Sequence, residues 1–287
     1  MDVCPSPLIS AEDLARALAQ GAPRLKLVDG SFALPGTDPT PHESFLKERI
    51  GKAVFFDIDA VADRDTDLPH MLPASEDFAR AVSGLGLSSD DTLVVYGQSG
   101  SVMGPARVWW TFHVFGHENI RVLDGGLPRW KALGLPTETG APETPPPGRF
   151  AARFRAERVI DRAGVAAGIK DKSIIVLDAR AALRFEGTAP EPRPGLQSGH
   201  IPGSVNLPCV DLVDAQTGLM KSPESLREIL DSCGAHEGVP VVATCGSGVT
   251  ACMIALALAV VGRPEARVYD GSWAEWGRGS LPVARGK

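Results

Sequence analysis

The sequence predicts an α/β protein made of two homologous domains, each a mostly parallel sheet with helices on both faces. Three observations carry this: the chain repeats itself, short β-rich runs alternate with helical patterns in each half, and a polar, proline-rich stretch separates the copies. "LVDGSF" from Leu27 matches "LDARAA" from Leu177, "TLVVYGQSG" from Thr92 matches "PVVATCGSG" from Pro240, and "RVLDGGLPRW" from Arg121 matches "RVYDGSWAEW" from Arg267. Asp29 thus pairs with Asp178, Gly97 with Cys245 and Asp124 with Asp270, at a nearly constant spacing.

The strands expected in the first half are 25–29, 53–56, 93–96 and 121–123, and in the second 174–177, 204–206, 239–244 and 267–269. Their Val, Ile and Leu content is that of parallel strands covered on both faces. Ser10 before "AEDLARAL" has the form of a capping box, and Asp161 opens the matching helix of the second copy. Between the copies, "GLPTETGAPETPPPGRF" (Gly134 to Phe150) has too little apolar content to offset its ordering entropy, so it reads as exposed and extended. The expected division is a domain over 1–140, a linker over 141–153 and a second domain over 154–287.

Composition narrows the function classes. Of 287 residues, 44% are hydrophobic and 22% charged, enough apolar content for a packed core in each half. A net charge of −6 without a dense basic block argues against a nucleic-acid partner. No stretch approaches the roughly 20 apolar residues of a membrane span, and "MDVCPSPLIS" carries no signal-like run, so the expectation is a cytoplasmic protein with no membrane partner. The cysteines are Cys4, Cys209, Cys233, Cys245 and Cys252; their odd number and the lack of a CxxC pair argue against a disulfide framework. The scattered histidines give no zinc spacing, and no metal is expected.

Cys245 stands apart from the other four, which read as small buried hydrophobes. It follows the strand-like "VVAT" and precedes Gly246-Ser247-Gly248 and a long apolar helix pattern. Ligands of parallel sheets sit at the carboxyl ends of the strands. Glycines at 246 and 248 permit backbone angles closed to other residues, so that amides curl inward as an anion nest before a helix start near Val249. Such a nest lowers a thiol pKa from about 8.5 and shelters a negative sulfur species on it. The pattern therefore points to a nucleophilic thiolate.

Three other loop chemistries fit less well. A cysteine phosphatase needs an arginine six residues after the cysteine, where Ala251 stands. A dinucleotide fingerprint is the more serious rival, since 246–251 fits G-x-G-x-x-A and Asp270 ends the next strand; the stretch after Asp270 is too short for the rest of a nucleotide fold. A G-x-S-x-G elbow fails because Ser247 is flanked directly by glycines.

"CGSGVTAC", "GHIPGSVNLP", "RFEGTAPEPRPG", "FFDID" and "HMLP" together resemble the rhodanese-like sulfurtransferases, in particular their mercaptopyruvate-using branch, over about residues 5–285. The resemblance implies tandem rhodanese-like domains of which only the second is catalytic. It implies a cycle without cofactor, in which Cys245 takes sulfur from a small donor, 3-mercaptopyruvate in preference to thiosulfate, as a covalent persulfide. Pyruvate is released, and sulfur passes to a thiol acceptor such as reduced thioredoxin, or to cyanide. It places the persulfide among the amides of Gly246, Ser247, Gly248, Val249 and Thr250, and the donor on Arg184 and Arg193. Ser247, His70 and Asp59 become a proton-handling set, the last two supplied by the first domain. His200 and Asp178 are expected to organise local structure, and Asp124 and Asp270 to cap turns. Phe32, where a tryptophan is usual, keeps an aromatic wall without an indole N–H. Two other readings remain: a thiosulfate sulfurtransferase, or a non-enzymatic sulfur carrier or redox sensor using the same cysteine.

Overall fold

The computed structural model describes residues 6–34, 36–279 and 281–286, so Cys4 lies outside the described residues. The chain forms two compact units. Unit 1 comprises the described residues of Met1–Ala62, Pro73–Arg155 and Ala215–Met220, and unit 2 those of Asp63–Leu72, Ala156–Asp214 and Lys221–Lys287.

Unit 1 is built on a five-stranded parallel sheet of β1 (Leu8–Ile9), β2 (Leu25–Asp29), β3 (Val54–Phe55), β4 (Thr92–Tyr96) and β5 (Ile120–Leu123), ordered β1-β5-β4-β2-β3. Four strands fall where the sequence places them; β1 was not foreseen. Some of the flanking helices begin at side-chain caps. Ser10 Oγ accepts the N–H of Asp13 at 3.0 Å, and Thr40 and Glu43 cap each other reciprocally. Leu27, Phe45, Ile50, Val94 and Trp130 pack one core. A second, aromatic layer stacks Phe78 on Phe115 at 4.2 Å between ring centres.

The stretch expected to be an exposed, extended linker is strapped to this unit. It has no helix or strand, but Phe150 is buried edge-on against Phe78 and Phe112, each at 5.6 Å. The Gly148 N–H donates to Ser83 O at 2.8 Å, and the Arg153 N–H to Phe115 O at 2.9 Å. One aromatic ring and a few backbone bonds outweigh the polar composition of the rest.

Unit 2 repeats the architecture. Its parallel sheet contains β6 (Val159–Ile160), β7 (Ile175–Asp178), β8 (Val205–Asn206), β9 (Val241–Thr244) and β10 (Arg267–Tyr269), ordered β6-β10-β9-β7-β8. This is the order of unit 1 strand for strand. Asp161 caps the next helix through the N–H of Gly164 at 2.7 Å. The helix Ala251–Val260 is buried over most of its length, and among the described residues no helix is long and apolar enough to cross a membrane.

Each unit also holds a segment from the opposite sequence half. In unit 1 the Met220 N–H donates to Asp124 Oδ1 at 3.0 Å; in unit 2 the Leu72 N–H donates to Asp270 Oδ2 at 2.8 Å. The matched aspartates of the repeat are therefore structural, and each also anchors distant chain.

The two copies differ in what faces the first strand-end aspartate. Asp178 in unit 2 is paired with Arg180, whereas Asp29 in unit 1 accepts the Ser31 N–H at 2.9 Å and the Gln98 amide at 2.7 Å. Burial raises the pKa of Asp29, against the opposing bonds from Ser31 and Gln98. The folded state thus holds this proton more tightly than the unfolded chain, and its contribution to stability falls as pH rises through that window. Asp29→Asn removes the effect. In thermal melts, the variant is expected to gain on the parent as pH rises above about 4, the unfolded carboxyl value; a difference independent of pH would refute the titration.

Candidate active site around Cys245

The fully buried strand β9 ends at Thr244, and Cys245 follows, itself only 2% exposed. Its backbone is fixed from several sides. The Cys245 N–H donates to Ser272 Oγ at 3.2 Å, and that hydroxyl donates to Tyr269 O at 2.8 Å. The carbonyls of Cys245 and Gly246 accept the N–H groups of Trp273 and Ala274, each at 2.9 Å. The Cys252 thiol donates to Gly248 O at 3.2 Å. In a trans peptide the N–H points opposite to the C=O. Anchoring these three carbonyls therefore turns the N–H groups of Gly246, Ser247 and Val249 away from their anchors.

The glycines serve different ends. Gly248 has φ +78°, a left-handed angle that suits glycine. Gly246 is not among the positive-φ glycines; what it supplies is space, since a Cβ there would stand 3.0 Å from Arg184 Nη2. The expectation that both glycines serve backbone angles is corrected accordingly. The helix begins at Ala251, after a turn at 249–250, slightly later than expected. At the matching place in unit 1, a Cβ on Gly97 would meet Ser101 O at 2.8 Å and Pro105 Cγ at 3.3 Å. A carbonyl occupies the room a cysteine side chain needs there.

Arg184 lies over this loop, held by a chain of buried charges. Asp178 accepts Arg180 Nη2 at 2.7 Å and Nε at 3.0 Å, and Arg180 Nη2 also reaches Gly199 O at 2.8 Å. Arg180 Nη1 donates to Glu191 Oε1 at 2.9 Å, and the Arg180 guanidinium sits 4.3 Å from the Trp273 ring centre. Glu191 then receives Arg184 Nη2 at 2.6 Å and Nε at 3.3 Å. Burial would discharge Arg180, but Asp178 and Glu191 outweigh it and raise its pKa. Removing one member would leave an unpaired buried charge, a change that costs about 3–5 kcal/mol. Arg180 and Glu191 were missed in the sequence. In "EPRPG" the arginine alone stands out, and a signal exists only in the pairing of Asp178 with Arg180 two residues on.

The second arginine and the histidine meet. Arg193 Nη2 stands 3.2 Å from His70 Nε2, and since a guanidinium only donates, the ring nitrogen accepts. His70 has φ +61° and is buried. It was expected to come from the first domain, but its segment, Asp63–Leu72, belongs to unit 2. There it is held by the Leu72–Asp270 bond and by Arg278 on the Asp67 carboxylate. Unit 2 thus contains Cys245, Ser247, His70, Arg184 and Arg193; Asp59 lies in unit 1, exposed on the short helix Ile58–Val61. His200 organises structure, bonding Phe185 O through Nδ1 at 2.8 Å and stacking on the Phe185 ring.

Of the other cysteines, Cys252 is buried, whereas Cys209 and Cys233 are half-buried rather than enclosed. Burial raises the pKa of both, and in Cys209 the nearby Cys245 adds to it. Among the described residues no cluster of His, Cys, Asp and Glu could hold a metal ion.

The arrangement provides a thiol at a strand end, anchored peptides around it and two arginines in the same unit, which is the equipment for displacement at an anionic substrate. Comparison with known proteins agrees. The chain is 41% identical to human 3-mercaptopyruvate sulfurtransferase, over 94% of this chain and 91% of that protein. It is 40% identical to mouse thiosulfate sulfurtransferase, over 97% of this chain and 94% of that one. Its fold superposes on the crystal structure of SseA from Escherichia coli, a 3-mercaptopyruvate sulfurtransferase, with a TM-score of 0.84, 36% identity, and coverage of 94% and 100%. The family described as Rhodanese-like domain matches twice, at residues 10–133 and 161–278, and the chain belongs to it as a two-domain sulfurtransferase.

Proposed function

We propose that this protein is a 3-mercaptopyruvate sulfurtransferase working through a persulfide on Cys245. The observation that carries the reading is a strand-end cysteine whose following peptides are anchored by their carbonyls, with Arg184 against Gly246. The Cys245 thiolate attacks the thiol sulfur of the donor. The carbon–sulfur bond breaks, its electron pair leaves as the pyruvate enolate, and a proton converts the enolate to pyruvate. Sulfur remains as Cys245–S–SH. An acceptor thiolate or cyanide then attacks the outer sulfur, forming a new persulfide or thiocyanate and restoring Cys245. One difficult transfer becomes two easier ones.

The N–H groups of Gly246, Ser247, Gly248, Val249 and Thr250 stabilise both thiolate and persulfide. Arg184 and Arg193 take the donor's carboxylate and keto oxygen, which a planar fork of donors suits. The Ser247 hydroxyl and His70 handle the proton. A thiosulfate sulfurtransferase is the second reading, favoured by the mouse relative. Against it stands the loop itself, which has no Lys or Arg from Gly246 to Thr250 to receive the doubly charged thiosulfate.

Intact and peptide mass spectrometry after incubation with 3-mercaptopyruvate is expected to show one added sulfur on Cys245. Cys245→Ser should lose both the adduct and steady-state pyruvate release, by about a thousandfold or more. Adduct without repeated turnover would instead mark a carrier or sensor. Steady-state kinetics with each donor are expected to give mercaptopyruvate a kcat/KM advantage of about tenfold or more, equal to about 1.4 kcal/mol of transition-state binding; the reverse order would assign the thiosulfate reaction. Iodoacetamide at neutral pH should label Cys245 before Cys209, whose thiol is held protonated by burial and by its neighbour. Equal labelling would contradict thiolate stabilisation by the loop.

A further inference from the structure

Arg184 carries a long, rotatable side chain that is 27% exposed, yet its guanidinium is held in one orientation. Glu191, whose side chain is 2% exposed, takes the side-on edge of that guanidinium through Nε and Nη2. Glu191 cannot swing, because Arg180 Nη1 holds Oε1, and Arg180 is itself clamped by Asp178, Gly199 O and the Trp273 ring. With the side-on edge occupied, the edge left for a ligand is the end-on pair, Nη1 and Nη2, and Nη2 is the atom that lies against Gly246.

We propose that Glu191 is the positioning residue of Arg184. It fixes which edge of the guanidinium meets an anion at the cysteine loop, and so sets the affinity for a carboxylate-bearing donor. The inference rests on the functional reading above, in which Arg184 grips the donor. A carboxylate entering the site meets a fork already aimed and already stripped of rotamer freedom. Because the donor's carboxylate carries the same charge before and during the sulfur transfer, loss of a grip on it falls on KM and not on kcat.

The test uses Glu191→Gln and Glu191→Asp in the full chain, each with Arg184 intact and with Arg184→Met. Glu191→Asp keeps the charge but withdraws the carboxylate by one methylene, and serves if the neutral variant fails to fold. Two readouts are taken: KM and kcat for 3-mercaptopyruvate, and the pyruvate concentration that protects Cys245 from iodoacetamide. The expected result is a KM rise of about tenfold with kcat within twofold, a matching rise in the protecting concentration, and no further loss from either change once Arg184 is Met. Folded variants with KM and protection both within twofold of the parent would overturn the proposal, as would a loss of the same size in the Arg184→Met background. If the parent releases no pyruvate from mercaptopyruvate, the donor assignment falls; the protection assay, which needs no turnover, still decides the role of Glu191.

Discussion

The buried pair Asp178–Arg180 is the constraint on which the surroundings of Cys245 depend. It stands at the carboxyl end of β7, the strand next to β9, and every bond Arg180 makes fixes a different piece of the site. Its Nη2 holds Gly199 O, its Nη1 holds Glu191, and its plane lies over Trp273, whose backbone N–H anchors the carbonyl of Cys245. A charge so enclosed cannot relocate without leaving a partner unpaired. The pair contributes little net stability against an apolar alternative, but it makes one arrangement of Glu191 and Arg184 much better than any other.

Unit 1 shows the same fold without that constraint. Ser31 stands at the place of Arg180, Gln98 bonds the lone aspartate, and Gly97 leaves room for the Ser101 carbonyl where a cysteine would go. Three small differences at the strand ends therefore separate the copy that carries Cys245 from the one that does not, while strand order and register remain the same. The anchored carbonyl is common to both copies, since Gly97 O accepts the Leu127 N–H at 3.0 Å as Cys245 O accepts that of Trp273 at 2.9 Å.

The relation between repeat and unit is less simple than the sequence repeat suggests. The segment with His70 lies in the first sequence half and the second unit; the segment ending at Met220 does the opposite, and matched aspartates hold both. His70 reaches Arg193 only through this arrangement. A histidine with φ +61° is uncommon for a residue with a side chain, and here it is the conformation in which the ring meets Arg193.

By itself the sequence determined what short-range chemistry can decide: eight of the strands, the capped helix starts at Ser10 and Asp161, the duplication, and the cysteine with its glycine loop. Hydrophobic runs and turn residues act over a few positions, and the repeat doubled each signal. The strands β1 and β6 were not legible in the sequence, and Phe150 was hidden in polar company. Tertiary structure alone decided which unit owns His70, what stands against Gly246, and how Asp178, Arg180, Glu191 and Arg184 join. Those facts depend on which charges become neighbours once water is excluded, and burial, unlike hydrophobic pattern, has no local code.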